Sequence, residues 1–162
     1  FIGAAKPDLA IPLYEQWDLL KNNHKAVLVG LTAGVVTSLV TVLVLSLLLG
    51  LSHEEYVTML PKSITTAIGM GVSEELGGYV TITVAVIIVT GVLGNMFGEL
   101  ICKVFKIEEP ISKGLAFGSA AHAIGTAKAM EIGEIEGAMS SLAIAVSGIL
   151  TVILSSVFAH FL

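Results

Sequence analysis

The stretch GLAFGSAAHAIGTAKAMEIGEIEG, Gly114 to Gly137, decides how the chain reads. Its residues are too small and too polar for a lipid-facing helix, yet uncharged apolar spans lie on either side of it. Ser119, His122 and Thr126 recur at i, i+3 and i+7, which predicts one shared face on an α-helix. Gly114, Gly118 and Gly125, with Ala120 and Ala121, let a second backbone approach closely, as small residues do between membrane helices. His122, Lys128 and two hydroxyls in an intramembrane setting mark a candidate functional site. The competing reading is a packing helix whose His122 hydrogen-bonds a neighbouring carbonyl. A buried polar group needs a partner in either case.

Composition places the stretch in a membrane. The chain is 55% hydrophobic and 13% charged, with mean hydropathy +0.94; a soluble domain carries about 25% charged residues. Ala26 to Ser52 and Gly137 to Leu162 contain no Asp, Glu, Lys or Arg. Each is longer than the ~20 residues that cross a bilayer core. Leu76 to Gly98 is a third uncharged run. All 8 basic residues are lysines and no basic patch forms, which argues against nucleic acid as a partner. Cys102 is the single cysteine, so no intrachain disulfide forms. Phe1 is not a start methionine, and the chain reads as a fragment or a processed form.

Outward from the central stretch, residues 1–14 form an apolar segment that Pro7 and Pro12 interrupt. Glu15 to Lys25 and His53 to Glu55 read as polar loops, and Ala26 to Leu51 as a spanning helix with Gly30, Gly34 and Ser38 as a packing stripe. Leu60 to Gly78, LPKSITTAIGMGVSEELGG, is a second odd stretch. Pro61 suits a first helical position, which places Ser63, Thr65 and Thr66 in the first turn. Its uncharged part, Ser63 to Ser73, is too short to span, which predicts a half-helix or re-entrant segment buried in protein or lining a cavity. Tyr79 to Glu99 reads as the next span, and Cys102 to Lys113 as a loop.

Lysine placement puts residues 15–25 and 99–113 in the cytoplasm and Glu131, Glu134 and Glu136 outside. Lys113 to Glu131 is then expected to cross. Segments 1–14 and 26–51 pair with 114–130 and 137–162 in opposite directions, each an interrupted segment joined to a long helix. That pattern predicts an inverted repeat with the substrate site at the interrupted segments.

The runs LAIPLY (9–14), PKSITTAI (61–68), EELGG (74–78) and Pro110 to Thr151 resemble the LrgB family, also called CidB-like. It includes YohK-type bacterial proteins and the plastid glycolate/glycerate translocator. The most specific motif is G-x-x-x-H-x-x-G-T-A-x-A-x-E-x-G-E-x-E-G-A, Gly118 to Ala138. GAAKPD at 3–8 departs from the G-P-A-T-type run usual in the family. The resemblance implies a single all-α, polytopic membrane domain over residues 1–162 that lacks one or two amino-terminal helices, in the plasma membrane. It implies either transport of small monocarboxylates (pyruvate, glycolate, glycerate) or antiholin/holin-like control of murein hydrolase activity and lysis. Either role is paired with a small LrgA/CidA-type protein, and the pattern allows a homo-oligomer.

Clustering of the polar residues in two broken segments suits an anion site better than a pore wall. Half-helix N-termini favour a carboxylate. Ser63, Thr65, Thr66, Ser119 and Thr126 are candidate hydrogen-bond donors, and Gly125 gives the close approach. Lys62, His122 and Lys128 are candidates for charge or a coupled proton. Snorkelling to the interface is the alternative for both lysines. His24, His53 and His160 have no metal-ligand spacing. GxSxG, GxGxxG and GxxxxGK[ST] are absent, so the sequence points to no enzyme and no cofactor.

Overall fold

The computed structural model describes residues 17–162, which are helical and contain no strand. In order they form α1 (Trp17–Leu49), α2 (His53–Met59), α3 (Thr66–Glu75), α4 (Val80–Val104), α5 (Pro110–Ile132) and α6 (Glu134–Phe158), closed by a 3-10 turn at Ala159–Phe161. Three stretches are long and apolar enough to cross a membrane: Lys21–Leu49, Val80–Val104 and Glu134–Phe161. Their outer faces carry Leu48, Val89, Met96 and Ile153, large apolar side chains that only lipid or another membrane helix would cover. This is the all-α membrane architecture that composition requires. The interrupted segment expected over residues 1–14 lies outside the described residues.

Several expected loops are helix. The polar run from Trp17 to Lys25 forms the first turns of α1. His53, Glu54 and Glu55 open α2, where a capping box supplies the missing partners. The Ser52 hydroxyl accepts from the Glu55 N–H at 3.3 Å, and the Ser52 N–H donates to the Glu55 carboxylate at 2.8 Å. Of the run expected as a loop at 102–113, only 105–109 leaves the helices, and Pro110 takes the first position of α5. Gly133 alone separates α5 from α6, so the acidic residues 134 and 136 are helical.

The largest departure is in α5. At His122 the backbone takes φ 43° and ψ −137°, outside the helical region, and the chain reverses. In a straight helix Phe117 and Gly125 would stand about 12 Å apart along the axis. A Cβ on Gly125 would instead lie 2.7 Å from the Phe117 carbonyl oxygen. Phe117 also packs with Ala129 and Ile132. Both arms, 110–121 and 123–132, meet Ser140 of α6: Gly118 abuts its backbone, and the Thr126 hydroxyl bonds its hydroxyl at 2.7 Å. The segment expected to cross from Lys113 to Glu131 is therefore a re-entrant hairpin, entering and leaving at one end of the molecule. The common face expected for Ser119, His122 and Thr126 is lost for the same reason. Ser119 turns to α1, His122 to α4 and Thr126 to α6.

Residues 53–75 make a second hairpin that enters from the opposite end. Thr58 on its first arm and Ser73 on its second meet at Thr83 of α4. The Thr83 hydroxyl lies 2.9 Å from the Thr58 carbonyl and 2.8 Å from the Ser73 hydroxyl. Pro61 does not begin a helix. Residues 60–64 form the turn at the tip, and α3 starts at Thr66 with Thr65 as its N-cap.

The two hairpins are related in sequence. Ala67-Ile68-Gly69 and Glu75-Leu76-Gly77 recur at the same spacing as Ala123-Ile124-Gly125 and Glu131-Ile132-Gly133. On that register Ser63 matches Ser119, Thr66 matches His122 and Lys62 matches Gly118. Contacts repeat as well. Thr58 packs at Thr83 of α4, and its counterpart Gly114 packs at Met139 of α6. Ile124 packs at Gly91 of α4, and its counterpart Ile68 packs at Gly148 of α6. Among the described residues, hairpin plus following helix, 53–104 and 110–158, forms an inverted unit; the pairing expected for 1–14 and 26–51 draws on residues outside those described.

Two predictions follow from the reversal at His122. With Cys102 first changed to Ser, single cysteines at Glu108 and Glu134 are expected to react with an impermeant maleimide from the same side of the membrane, and one at Glu75 from the other. Labelling of 108 and 134 from opposite sides would show that α5 crosses. Second, a positive φ costs a non-glycine residue about 1–3 kcal/mol. His122→Gly is expected to be more stable than His122→Ala by about 1 kcal/mol, since both lose the imidazole but only alanine keeps the strain. A thermal scan that follows unmasking of the buried Cys102 thiol measures this; equal midpoints would place the reversal elsewhere.

Candidate functional site

The hairpin that ends at His122 is held by polar bonds that leave its tip little to offer a ligand. His122 is 4% exposed, and its Nε2 donates to the Ile87 carbonyl of α4 at 2.9 Å. Gly91 makes room for the ring, because a Cβ there would stand 2.7 Å from His122 Cε1. The Thr126 hydroxyl, which also bonds Ser140, lies 3.0 Å from the His122 carbonyl. Gly125 lets the two arms touch. Lys128 binds Glu99 of α4 at 2.9 Å and Glu131 at 3.1 Å, an ion triad that ties the second arm to α4. Among the sequence-level candidates, His122, Gly125, Thr126 and Lys128 are thus placed in the packing and anchoring of this hairpin.

Lys62, Ser63 and Ser119 are brought together differently. A cavity of about 700 Å³ runs along α1 from Asn23 to Thr41, between that helix and the first arm of α5, and reaches Lys62 and Ser63. The Lys62 ammonium donates to the Ser63 hydroxyl at 2.8 Å, and Ser63 Oγ lies 3.3 Å from Ser38 Oγ of α1. Ser38 sits about halfway along the apolar part of α1, so this lysine is near mid-depth and does not reach the interface. No carboxylate lies within ion-pair distance of it among the described residues. Six of the seven described lysines lie toward one end of the molecule, and Lys62 is the exception. Ser119 donates to the Leu115 carbonyl at 2.7 Å and faces Gly34.

Thr65 and Thr66 lie just past the cavity. They are half-buried, neither lines it, and Thr65 makes no side-chain cap bond to α3. The first N–H groups of α3 therefore keep their positive partial charge one turn from Ser63. At the cavity mouth Glu109 caps α5, accepting from the Ser112 N–H at 2.7 Å. Burial pushes its carboxyl up, but the hydrogen bonds from Ser112 and Ile111 outweigh this and hold it below the usual carboxylate value.

Sequence reading missed Ser38 and Thr41 as cavity residues, because Ser38 also fits a small-residue packing stripe. The signal that could have found them is the A-I-G/E-[LI]-G repeat, which shows two hairpins and so leaves a face of α1 to line the space between them. Among the described residues that line the cavity, only Lys62 and Glu109 are charged, and most of the rest are apolar. It can hold a small anion against one ammonium and several hydroxyls.

Comparisons with known proteins agree with this architecture. The model of the LrgB-like family matches residues 1–161. The chain is 39% identical over 162 residues to the antiholin-like protein LrgB of Bacillus mycoides (strain KBAB4), covering all of this chain and 70% of that protein. It is 38% identical, with the same coverage, to the proteins of that name from Bacillus cereus (strain B4264) and Bacillus anthracis (strain CDC 684 / NRRL 3495). No solved structure matches. With the family model spanning residues 1–161 and relatives of that name 39% and 38% identical over the whole chain, the chain belongs to the LrgB-like family of membrane proteins.

Proposed function

We propose that this chain is the membrane core of a carrier for small monocarboxylates of the pyruvate, glycolate and glycerate kind, multi-pass in the plasma membrane. The observation that carries the reading is the Lys62 ammonium, held at mid-depth by Ser63, facing a cavity and, among the described residues, without a carboxylate in ion-pair distance. An uncompensated charge in the membrane interior is costly and is kept where a substrate or ion supplies its counter-charge. A carboxylate does so directly. The uncapped start of α3 near Thr65 and Thr66 adds to the positive potential there. Two inverted hairpins that each bring a serine, Ser63 and Ser119, to one cavity are also the arrangement in which carriers place their sites.

The name of the relatives, antiholin-like, favours a second reading, control of a holin-like pore, which the family resemblance extends to murein hydrolase activity and a small LrgA/CidA-type membrane protein. The two readings separate on solute selectivity. A carrier saturates and discriminates, whereas a lytic pore leaks unrelated solutes.

Proteoliposomes holding the purified chain, with and without an LrgA-type partner, are expected to take up labelled pyruvate or glycolate saturably while retaining sucrose. Lys62→Gln keeps a hydrogen-bonding head on a stem one atom shorter and removes the charge. A hydrogen bond to a charged group contributes about 1.5–3 kcal/mol, so uptake at low substrate is expected to fall at least about tenfold. Uptake that survives Lys62→Gln unchanged overturns the assignment of the charge, and sucrose leakage in parallel favours the pore.

A further inference from the structure

The repeat and the cavity together locate the ligand and limit its charge, on the carrier reading given above. Ser63 and Ser119 are counterparts in the two hairpins, and both line the same cavity. The midpoint of two residues related by a twofold axis lies on that axis, so the space between these serines is where the two halves of the fold meet. The floor of that space is one turn of α1. Ser63 stands at Ser38, with Oγ atoms 3.3 Å apart. Ser119 stands at Gly34, where a Cβ would lie 3.7 Å from its Oγ. Gly34 and Ser38 are one helical turn apart, about 6 Å along the axis.

We propose that a small anion with a single carboxylate sits between Ser63 and Ser119 on the Gly34–Ser38 turn, its carboxylate on the Lys62 ammonium, and that a dicarboxylate is refused. The size follows from the spacing. A two- or three-carbon acid measures about 4–5 Å from a carboxylate oxygen to its far end by ordinary bond lengths, so it bridges the two serine levels. The charge follows from where the repeat fails. The counterpart of Lys62 is Gly118, buried against Ser140, so the second hairpin brings no cation to the seat. A second carboxylate would lie in an apolar cavity without a partner, toward a mouth that already carries Glu109. Ser38, from outside the repeat, is thus a binding residue, and Gly34 sets the length of ligand that fits.

The test uses the full chain with Cys102→Ser and a cysteine introduced beside the seat as Thr37→Cys, or as Thr41→Cys if that variant folds better, both positions lining the cavity. Alkylation by a small maleimide is followed with pyruvate or with succinate. At four times its dissociation constant a ligand that covers the thiol slows alkylation about fivefold. Pyruvate is expected to do so and succinate, at equal concentration, to leave the rate unchanged; a Thr32→Cys control on the opposite face of α1 is expected to react equally with and without either acid. Protection by both acids, or by neither, overturns the seat. Uptake by the unsubstituted chain is measured in parallel, so that the two readings fail separately. Protection without uptake supports the seat and overturns the carrier, whereas uptake without protection overturns the seat alone.

Discussion

A chain can reverse inside a membrane only where its freed backbone groups find partners and where lipid is kept out. Every other feature of this fold depends on meeting that constraint twice. At His122 it is met from α4: the imidazole bonds the Ile87 carbonyl, and Asn95 donates to the Ile124 carbonyl just past the turn. Gly91, Gly94 and Gly98 flatten the face of α4 against which His122, Ala121 and Phe117 lie. The other hairpin uses hydroxyls, with Thr83 joining Thr58 and Ser73 and the Tyr79 N–H bonding the Thr58 hydroxyl. Interhelical polar bonds of this kind contribute about 0.6–2 kcal/mol each in a membrane. Several together hold a tip that no hydrophobic effect would press into place.

Charge does less of this work than its position suggests. The Lys128 triad is partly exposed, at 27% for the lysine and 42% and 69% for the two acids. Exposed pairs contribute about 0.2–1 kcal/mol. The triad therefore ties the second arm of α5 to α4 weakly. Its counterpart in the first hairpin would be Val72, so the tie exists in one half only. The two hairpins share a backbone design and differ in what restrains them.

That asymmetry also explains what could be read from the sequence. The three spans and the short stretch after Pro61 were legible, because length and charge decide them. The reversal at His122 was not. Reversals are ordinarily signalled by Gly or Pro, yet Ala120, Ala121 and Ala123 around it are strong helix formers. Lys113 and Glu131 stood a membrane's width apart on a straight helix, so charge placement read the hairpin as a crossing. The helical spacing of Ser119, His122 and Thr126 failed with it, since a face is shared only while the helix continues. The repeat of A-I-G and E-[LI]-G was visible, but its first copy sits in a stretch that lacks the histidine, and Thr66 hides the match. Capping, too, escaped the reading: Ser52 and Glu55 look like a loop until the box between them is recognised.

The position of Lys62 follows from these same restraints. A lysine on a spanning helix could slide its ammonium to the interface along a flexible stem. Here the residue lies in the tip turn, between Pro61 and the buried Ser63 and Ile64, with the α2 end packed on Leu39 and Tyr56 through Leu60. The stem starts near mid-depth and has no short path to water except the cavity beside it. Removing the Thr58–Thr83–Ser73 bonds would loosen the arm that delivers it, while removing Ser63 would leave its depth unchanged and strip its partner, and removing Ser38 would free Ser63 from α1. Depth is thus set by packing at one end of the hairpin and chemistry by the Ser63 and Ser38 hydroxyls at the other. Substitutions in the two groups should be separable: the first changes whether the ammonium is present in the cavity, and the second changes what it can hold there.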